Sequence, residues 1–254
     1  RTFYRDNLWV RTPDGVPMMN YDFATQTMAE FKGVDIIEAM EVPDGSFSKV
    51  EPVPPVGGLD GKSKLGYLID CRVNDSFKAV NKLCKAGLEV NRYTESIKVG
   101  DEQYPAGMWH VSGDEKKLEK VAEETHLKLI PVGDKIDAES KPVKLLKVAM
   151  YQRYWGGNMD EGWTRWLLEQ FEFEYTTVKD KEVKSGLEDF DVLILPSDDT
   201  ALITGEKVEE HYEKKYKGAF APPVLPDEYK SGIGEEGVKK INEFVENGGT
   251  VIAL

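Results

Sequence analysis

The sequence predicts an α/β chain: a flavodoxin-like parallel sheet over residues 143–254, preceded by a smaller β-α-β-β-α-β unit of α+β type over residues 65–133. Three observations predict it. Leu145, Leu146, Val148, Ala149 and Met150 form a short apolar run without polar alternation, the pattern of a parallel strand covered on both faces. Tyr154-Trp155-Gly156-Gly157-Asn158 breaks that run, and Trp163, Trp166, Leu167, Gln170 and Phe171 then recur at helical spacing, which predicts a helix burying that stripe on the sheet. From there strands and helices alternate to the end of the chain, so the strands are expected to be parallel and joined by crossovers.

In chain order, residues 1–40 carry Phe3, Tyr4, Trp9, Tyr21, Phe23 and Phe31 without a long period, with a turn at Asp14-Gly15 and a short helix expected over Asp22 to Phe31. They read as an aromatic arm. Prolines 43, 52, 54 and 55 alternate with glycines 45, 57, 58 and 61, which predicts an extended connector over Val42 to Lys64, without regular hydrogen bonding. Residues 1–64 are thus arm and linker. The next unit begins with a strand at Gly66 to Asp70 and a helix capped by Asn74 or Asp75 that buries Phe77, Val80, Leu83 and Cys84. Leu88 to Tyr93 is its second strand. A hairpin follows from Ser96 to Val99, turning at Gly100-Asp101 and returning from Tyr104 to Val111. Ser112 and Glu115 have capping-box spacing before a helix with Leu118, Val121 and Ala122 inward, and Leu127 to Val132 is the last strand, an order that suggests a split βαβ unit and that a small doubly wound layer fits nearly as well.

After the central strand and helix, strands are expected at Tyr175 to Val178 and Asp191 to Pro196. Ala201 to Lys230 is a long insertion rich in Lys, Glu and Pro, of the kind that carries function or motion. A helix from Glu235 to Asn247 with Val238, Ile241 and Val245 inward then delivers a strand at Thr250 to Leu254.

The net charge of −13 argues against a nonspecific nucleic-acid binder, which needs a concentrated basic surface. Lys214, Lys215 and Lys217 alternate with Glu209, Glu210 and Glu213 as a solvated mixed face. No apolar run reaches the roughly 20 residues of a membrane span. Two cysteines, Cys71 and Cys84, make no disulfide scaffold and read as buried thiols. The chain starts at Arg1 rather than Met and ends on an apolar run, so it is expected to be a piece of a longer polypeptide.

Ligands of open parallel sheets sit beyond the carboxyl ends of the strands. This draws Arg153, Tyr154, Trp155, Asn158 and Asp198 to one crevice, with aromatic walls and a few polar groups for a peptide or sugar ligand. The plainer reading is structural: Asn158 and Glu161 have N-cap and N3 spacing, and Trp155 covers the sheet. Gly232 to Gly237 matches G-x-G-x-x-G, but no strand immediately precedes it and Glu235 and Glu236 stand where a pyrophosphate would approach, so it reads as the start of a helix. His110, His126 and His211 have no zinc-ligand spacing. No catalytic residue and no cofactor is assigned to this segment.

The stretches Tyr151 to Phe171 (YQRYWGGNMDEGWTRWLLEQF), Asp191 to Pro196 (DVLILP), Tyr229 to Gly237 (YKSGIGEEG) and Gly248 to Leu254 (GGTVIAL) resemble the C-terminal part of bacterial and archaeal zinc carboxypeptidase-like proteins. Gly66 to Asp70 and Asn74 to Asn81 are similar to the stretch preceding it there. The resemblance implies a parent with an N-terminal metallocarboxypeptidase domain, which would hold the zinc, and a class I glutamine-amidotransferase-like domain at residues 143–254. This chain is then expected to be a noncatalytic accessory region, its partner the catalytic domain of the same polypeptide, in a secreted protein. Two rivals accompany that expectation: an amidotransferase-like hydrolase whose nucleophile lies past Leu254, and an oligomerisation module that swaps its aromatic arm.

Overall fold

The computed structural model of the protein describes residues 7–11, 13–15, 17–18, 40–41, 44–49, 51, 53–154, 158–217, 224, 226 and 229–254. The chain divides into two units, Arg1–Pro52 and Val53–Leu254. In the first, β1 (Asn7–Arg11) pairs antiparallel with β2 (Pro17–Met18), and Gly15 (φ 83°) takes the left-handed turn conformation expected at Asp14-Gly15. The helix expected over Asp22 to Phe31 lies outside the described residues.

The second unit contains two main sheets. The first runs in the order β10-β5-β8-β4-β9-β3. Its strands are β3 (Gly58–Leu59), β4 (Tyr67–Ile69), β5 (Val90–Tyr93), β8 (Trp109–Val111), β9 (Lys128–Pro131) and β10 (Ser140–Pro142), with a separate hairpin of β6 (Ile97–Val99) and β7 (Glu102–Tyr104). All pairings are antiparallel except β3 with β9. Side chains alternate faces along each strand. Tyr67, Ile69, Val90, Trp109 and Leu129 pack under α1 (Asp75–Lys85) and α2 (Glu115–Glu124), whereas Leu68, Tyr93, Met108 and Val132 form a core on the other face with Ile97 and Tyr104 of the hairpin.

Several expectations change here. The connector supplies strand β3, with Gly58 and Asp60 donating to the Leu127 and Leu129 carbonyls at 2.9 Å. Gly57 permits this, since a Cβ there would collide with the Ala122 carbonyl. The returning strand of the hairpin is split: β7 stops at Tyr104, and β8 begins after Gly107 (φ 101°). Asp114, not Ser112, caps α2, accepting from the Lys116 amide at 3.0 Å. Phe77 stays 40% exposed, its ring edge-on to Trp109 at 5.0 Å.

The second sheet is entirely parallel, in the order β12-β11-β13-β14: β11 (Val148–Tyr151), β12 (Tyr175–Val178), β13 (Val192–Leu195) and β14 (Thr250–Ala253). Helix α3 (Met159–Gln170) joins β11 to β12, α4 (Asp180–Ser185) joins β12 to β13, and α5 (Thr200–Thr204), α6 (Val208–Tyr216) and α7 (Gly234–Glu246) lie between β13 and β14. Ala149, Tyr151 and Leu193 face Val183 of α4 and Phe244 of α7; Val148, Met150, Val192 and Ile194 face the opposite way, with Leu168 of α3 against them. Both faces are therefore apolar along β11 and β13, as a central parallel strand requires.

Leu145 and Leu146 are not part of β11 and stay about half exposed. The expected inward stripe of α3 faces outward: Trp163 is 67% exposed and Trp166 52%, and Leu167 is likewise half exposed. The other face wins because Glu161, buried, ion-pairs with Arg165, and Arg165 Nη1 donates to Thr177 Oγ1 at 2.9 Å with its guanidinium over the Tyr175 ring. In α7 the inward set is Gly237, Ile241 and Phe244, while Val238 and Val245 are exposed. Gly237 lets the helix close onto Ile233, where a Cβ would overlap the Ile233 side chain.

This arrangement sets opposite outcomes for two apolar residues. Leu193→Ala removes a fully buried side chain and is expected to cost about 2–5 kcal/mol. Trp163→Ser is expected to stay within about 0.5 kcal/mol of the parent protein. Urea unfolding of the two variants checks this, and a large loss for Trp163→Ser would show that the stripe is inward after all.

Candidate functional site

The first and third strands of the parallel sheet, β11 and β13, are neighbours, and the chain leaves their carboxyl ends towards opposite faces: β11 leads to α3, β13 to α5. Such a divergence opens a crevice between the two strand ends. Residues 151–153 and Asn158 meet residues 196–198 there.

Asn158 has an extended backbone (φ −151°, ψ 129°) and caps α3, its Oδ1 accepting from the Asp160 and Glu161 amides at 2.8 and 3.4 Å. Its Nδ2 donates to the Ser197 carbonyl at 2.6 Å, and the Ser197 amide donates back to Asp160 Oδ2 at 2.8 Å. The start of α3 is thereby stitched to the exit of β13. Arg153 Nε lies 2.7 Å from Asp198 Oδ2, with side chains only 14% and 13% exposed. The contact is an ion pair rather than an aligned hydrogen bond, since the Nε–H does not point at the carboxylate. Asp198 Oδ1 also accepts from the Asp199 amide. Asp199 receives Lys215 Nζ at 2.5 Å and His211 Nε2 at 3.3 Å, and the Lys215 hydrogen bond holds its carboxyl below the usual carboxylate range.

Behind this pair sits Asp180, the first residue of α4. Its Oδ1 accepts from the Tyr151 hydroxyl at 2.7 Å, and its Oδ2 from Ser231 Oγ at 3.1 Å and the Gly232 amide at 2.8 Å. Ser231 Oγ in turn accepts from the Tyr154 amide at 2.9 Å. Burial, and then the Asp180 hydrogen bond, push the Tyr151 phenol far above its ordinary value. Gly232 (φ 139°) lies against Gly205 (φ 76°) so closely that a Cβ on either would meet the other's backbone. Close packing therefore accounts for Gly232 and Gly237 in the G-x-G-x-x-G match.

Between these groups little space remains. The crevice lined by Tyr151, Gln152, Arg153, Asn158, Asp198 and Ile203 holds about 10 Å3, room for one water. Outside it, the half-exposed ring of Tyr154 stacks on Tyr229 at 6.2 Å, with Lys179 Nζ 5.3 Å from the Tyr154 ring centre.

Of the residues expected at the site, Arg153, Asn158 and Asp198 line one crevice, and Tyr154 stands at its exposed margin. Trp155 lies outside the described residues. Tyr151, Asp180, Ser231 and Tyr229 were not singled out by sequence reasoning. The rule that selected Asp198 also covers Asp180, which follows the carboxyl end of β12 by two residues. For Ser231 and Tyr229 no sequence signal exists, because a long connection brings them to the corner. His211 is not on a fully solvated face: its side chain is 17% exposed, held by Asp199. The two cysteines are free and partly buried, and burial raises the Cys84 thiol pKa.

Among the described residues, no group of three or more His, Cys, Asp or Glu side chains could hold a metal ion, and no helix is long and apolar enough to cross a membrane. Comparison with protein families, curated proteins and solved structures finds no match.

Tyr151→Phe is expected to cost about 1.5–3 kcal/mol at neutral pH, the range for a hydrogen bond to a charged group. A phenol whose pKa is raised by folding contributes stability that is whole below about pH 10 and fades as the pH climbs past the unfolded value. The parent protein should then destabilise more steeply above about pH 10 than Tyr151→Phe. Urea midpoints between neutral and alkaline pH check this, and parallel curves for the two proteins would contradict it.

Proposed function

We propose that residues 143–254 are a flavodoxin-like domain of the glutamine-amidotransferase-like kind, that residues 65–133 are a split βαβ unit, and that together they form a noncatalytic accessory region of a zinc carboxypeptidase-like protein. The observation that carries this reading is the mutual engagement of the groups at the strand ends. Arg153 is spent on Asp198, Asn158 on both α3 and Ser197, and Asp180 on three donors. Residues committed to one another in this way brace a corner. A ligand would approach from outside, at the Tyr154–Tyr229 stack, whose aromatic faces and neighbouring Lys179 suit a peptide or sugar. The zinc of the reading belongs to the parent's catalytic domain.

Deleting residues 53–254 from the full-length polypeptide tests it. Loss of C-terminal peptidase turnover, or of folded enzyme, is the expected result. Unchanged turnover after the deletion, or no peptidase activity in the full-length protein, would refute the accessory role. Tyr154→Ala is expected to leave the folded state within about 1 kcal/mol of the parent protein and to weaken binding of peptides or oligosaccharides that the parent protein retains, as read by affinity electrophoresis.

A further inference from the structure

Away from the strand-end corner, a groove of about 250 Å3 runs between the two sheets of the second unit. Its apolar walls are the Phe77 ring, the edge of Trp109 and the half-exposed Leu145 and Leu146. Its charged lining is Lys85, Arg92 and Lys144 with Glu172 and Glu174, and Lys141 adjoins Arg92 in a neighbouring hollow of the surface. In the cross-strand register Lys141 of β10 stands directly opposite Arg92 of β5, and Arg92 directly opposite Trp109 of β8, so two like charges sit side by side at the edge of an aromatic wall. Opposed like charges destabilise a sheet. Arg92 leans over Trp109, 5.6 Å from the ring centre. Lys144, in the segment between β10 and β11, adds a further cation. Among the described residues no carboxylate pairs with Arg92, Lys141 or Lys144. The two carboxylates of the lining are already paired, Glu172 with Lys82 and Lys85, and Glu174 with Lys85. The guanidinium reaches Gly107, where a Cβ would stand 3.2 Å from Arg92 Nη2.

We propose that this groove binds a small apolar carboxylate, a planar or branched hydrophobic acid. Its body lies against Phe77, Leu145 and Leu146, and its carboxylate is taken by Arg92 with Lys141 and Lys144 nearby. The occupant follows from charge complementarity. Exposed apolar area beside uncompensated cations favours an acid over a neutral or cationic molecule of the same shape. A ligand carboxylate would also relieve the repulsion between Arg92 and Lys141. A guanidinium fork suits a carboxylate better than an ammonium does, which makes Arg92 the main anchor.

Indole-3-acetate and its neutral isostere indole-3-acetamide, titrated into the whole chain by calorimetry at low salt, test the proposal. The acid is expected to bind saturably and at least about tenfold tighter than the amide. Arg92→Gln should abolish that preference, and Arg92→Lys should keep part of it. Because Arg92→Gln removes one of two opposed like charges, its thermal midpoint is expected to equal or exceed that of the parent protein. Should Arg92→Gln instead fold poorly, Lys144→Gln, on the exposed segment between β10 and β11, provides the same readout through a severalfold loss of acid binding. Equal binding of acid and amide, no saturable binding of either, or a preference that survives the Arg92 and Lys144 substitutions would each overturn the proposal.

Discussion

The parallel half of this protein depends on the three hydrogen bonds that converge on Asp180. A carboxylate with a buried phenol on one oxygen and a hydroxyl and a backbone amide on the other joins three points far apart in sequence: the end of β11, the start of α4 and the approach to α7. Hydrogen bonds to an ionised acceptor are the stronger kind, and in a buried setting each donor lost leaves a desolvated charge less well served. That requirement fixes where Ser231 and Gly232 lie, and so forces the backbone contact between Gly232 and Gly205. It also places the stack of Tyr154 and Tyr229, since the Tyr154 amide is held by the same Ser231 hydroxyl.

The sheet itself answers to a different constraint. Parallel strands at its centre must be covered on both sides, and the two apolar clusters achieve this with α4 and α7 on one face and α3 on the other. Helix α3 covers its side with Leu168 and the Glu161–Arg165 pair rather than with its tryptophans. The inner face of that helix is partly polar because β12 offers Thr177 and the Tyr175 ring, both of which Arg165 engages. The same pairing logic runs through the strand-end corner, where Arg153 meets Asp198 and Asn158 spans from α3 to Ser197.

How much of this can be read from the sequence differs between elements for physical reasons. Apolar runs such as Val192 to Leu195 declare buried strands because little else tolerates them, and Asn158 with Glu161 declares a helix start through local spacing. That Arg153 and Asp198 lie at one crevice follows from the carboxyl-end rule; that they pair does not. The outward stripe of α3 does not follow, because helical periodicity identifies an apolar face without stating which neighbour, if any, covers it. Phe244 of α7 is a similar case: of the periodicity over Val238, Ile241 and Val245 only Ile241 is inward, because the close approach at Gly237 turns the helix to bury Phe244 instead. Asp180 stands where the carboxyl-end rule points, but its pairing with Tyr151 and Ser231, 29 and 51 residues away in sequence, is legible only after the fold is known. The cross-strand pair of Arg92 and Lys141 is hidden for the same reason, because β10 is a short exposed edge strand without apolar pattern.

The strand-end corner is thus held by its own side chains, and the most direct test is whether Arg153 and Asp198 are energetically coupled. Unfolding free energies of the parent protein, Arg153→Met, Asp198→Leu and the double variant close a double-mutant cycle. A braced corner gives each single variant a large loss and the double variant a smaller loss than their sum, with a coupling of at least about 1 kcal/mol. A coupling near zero would mean that the two charges are held apart in energy despite their contact, and would contradict the reading of this corner as a scaffold.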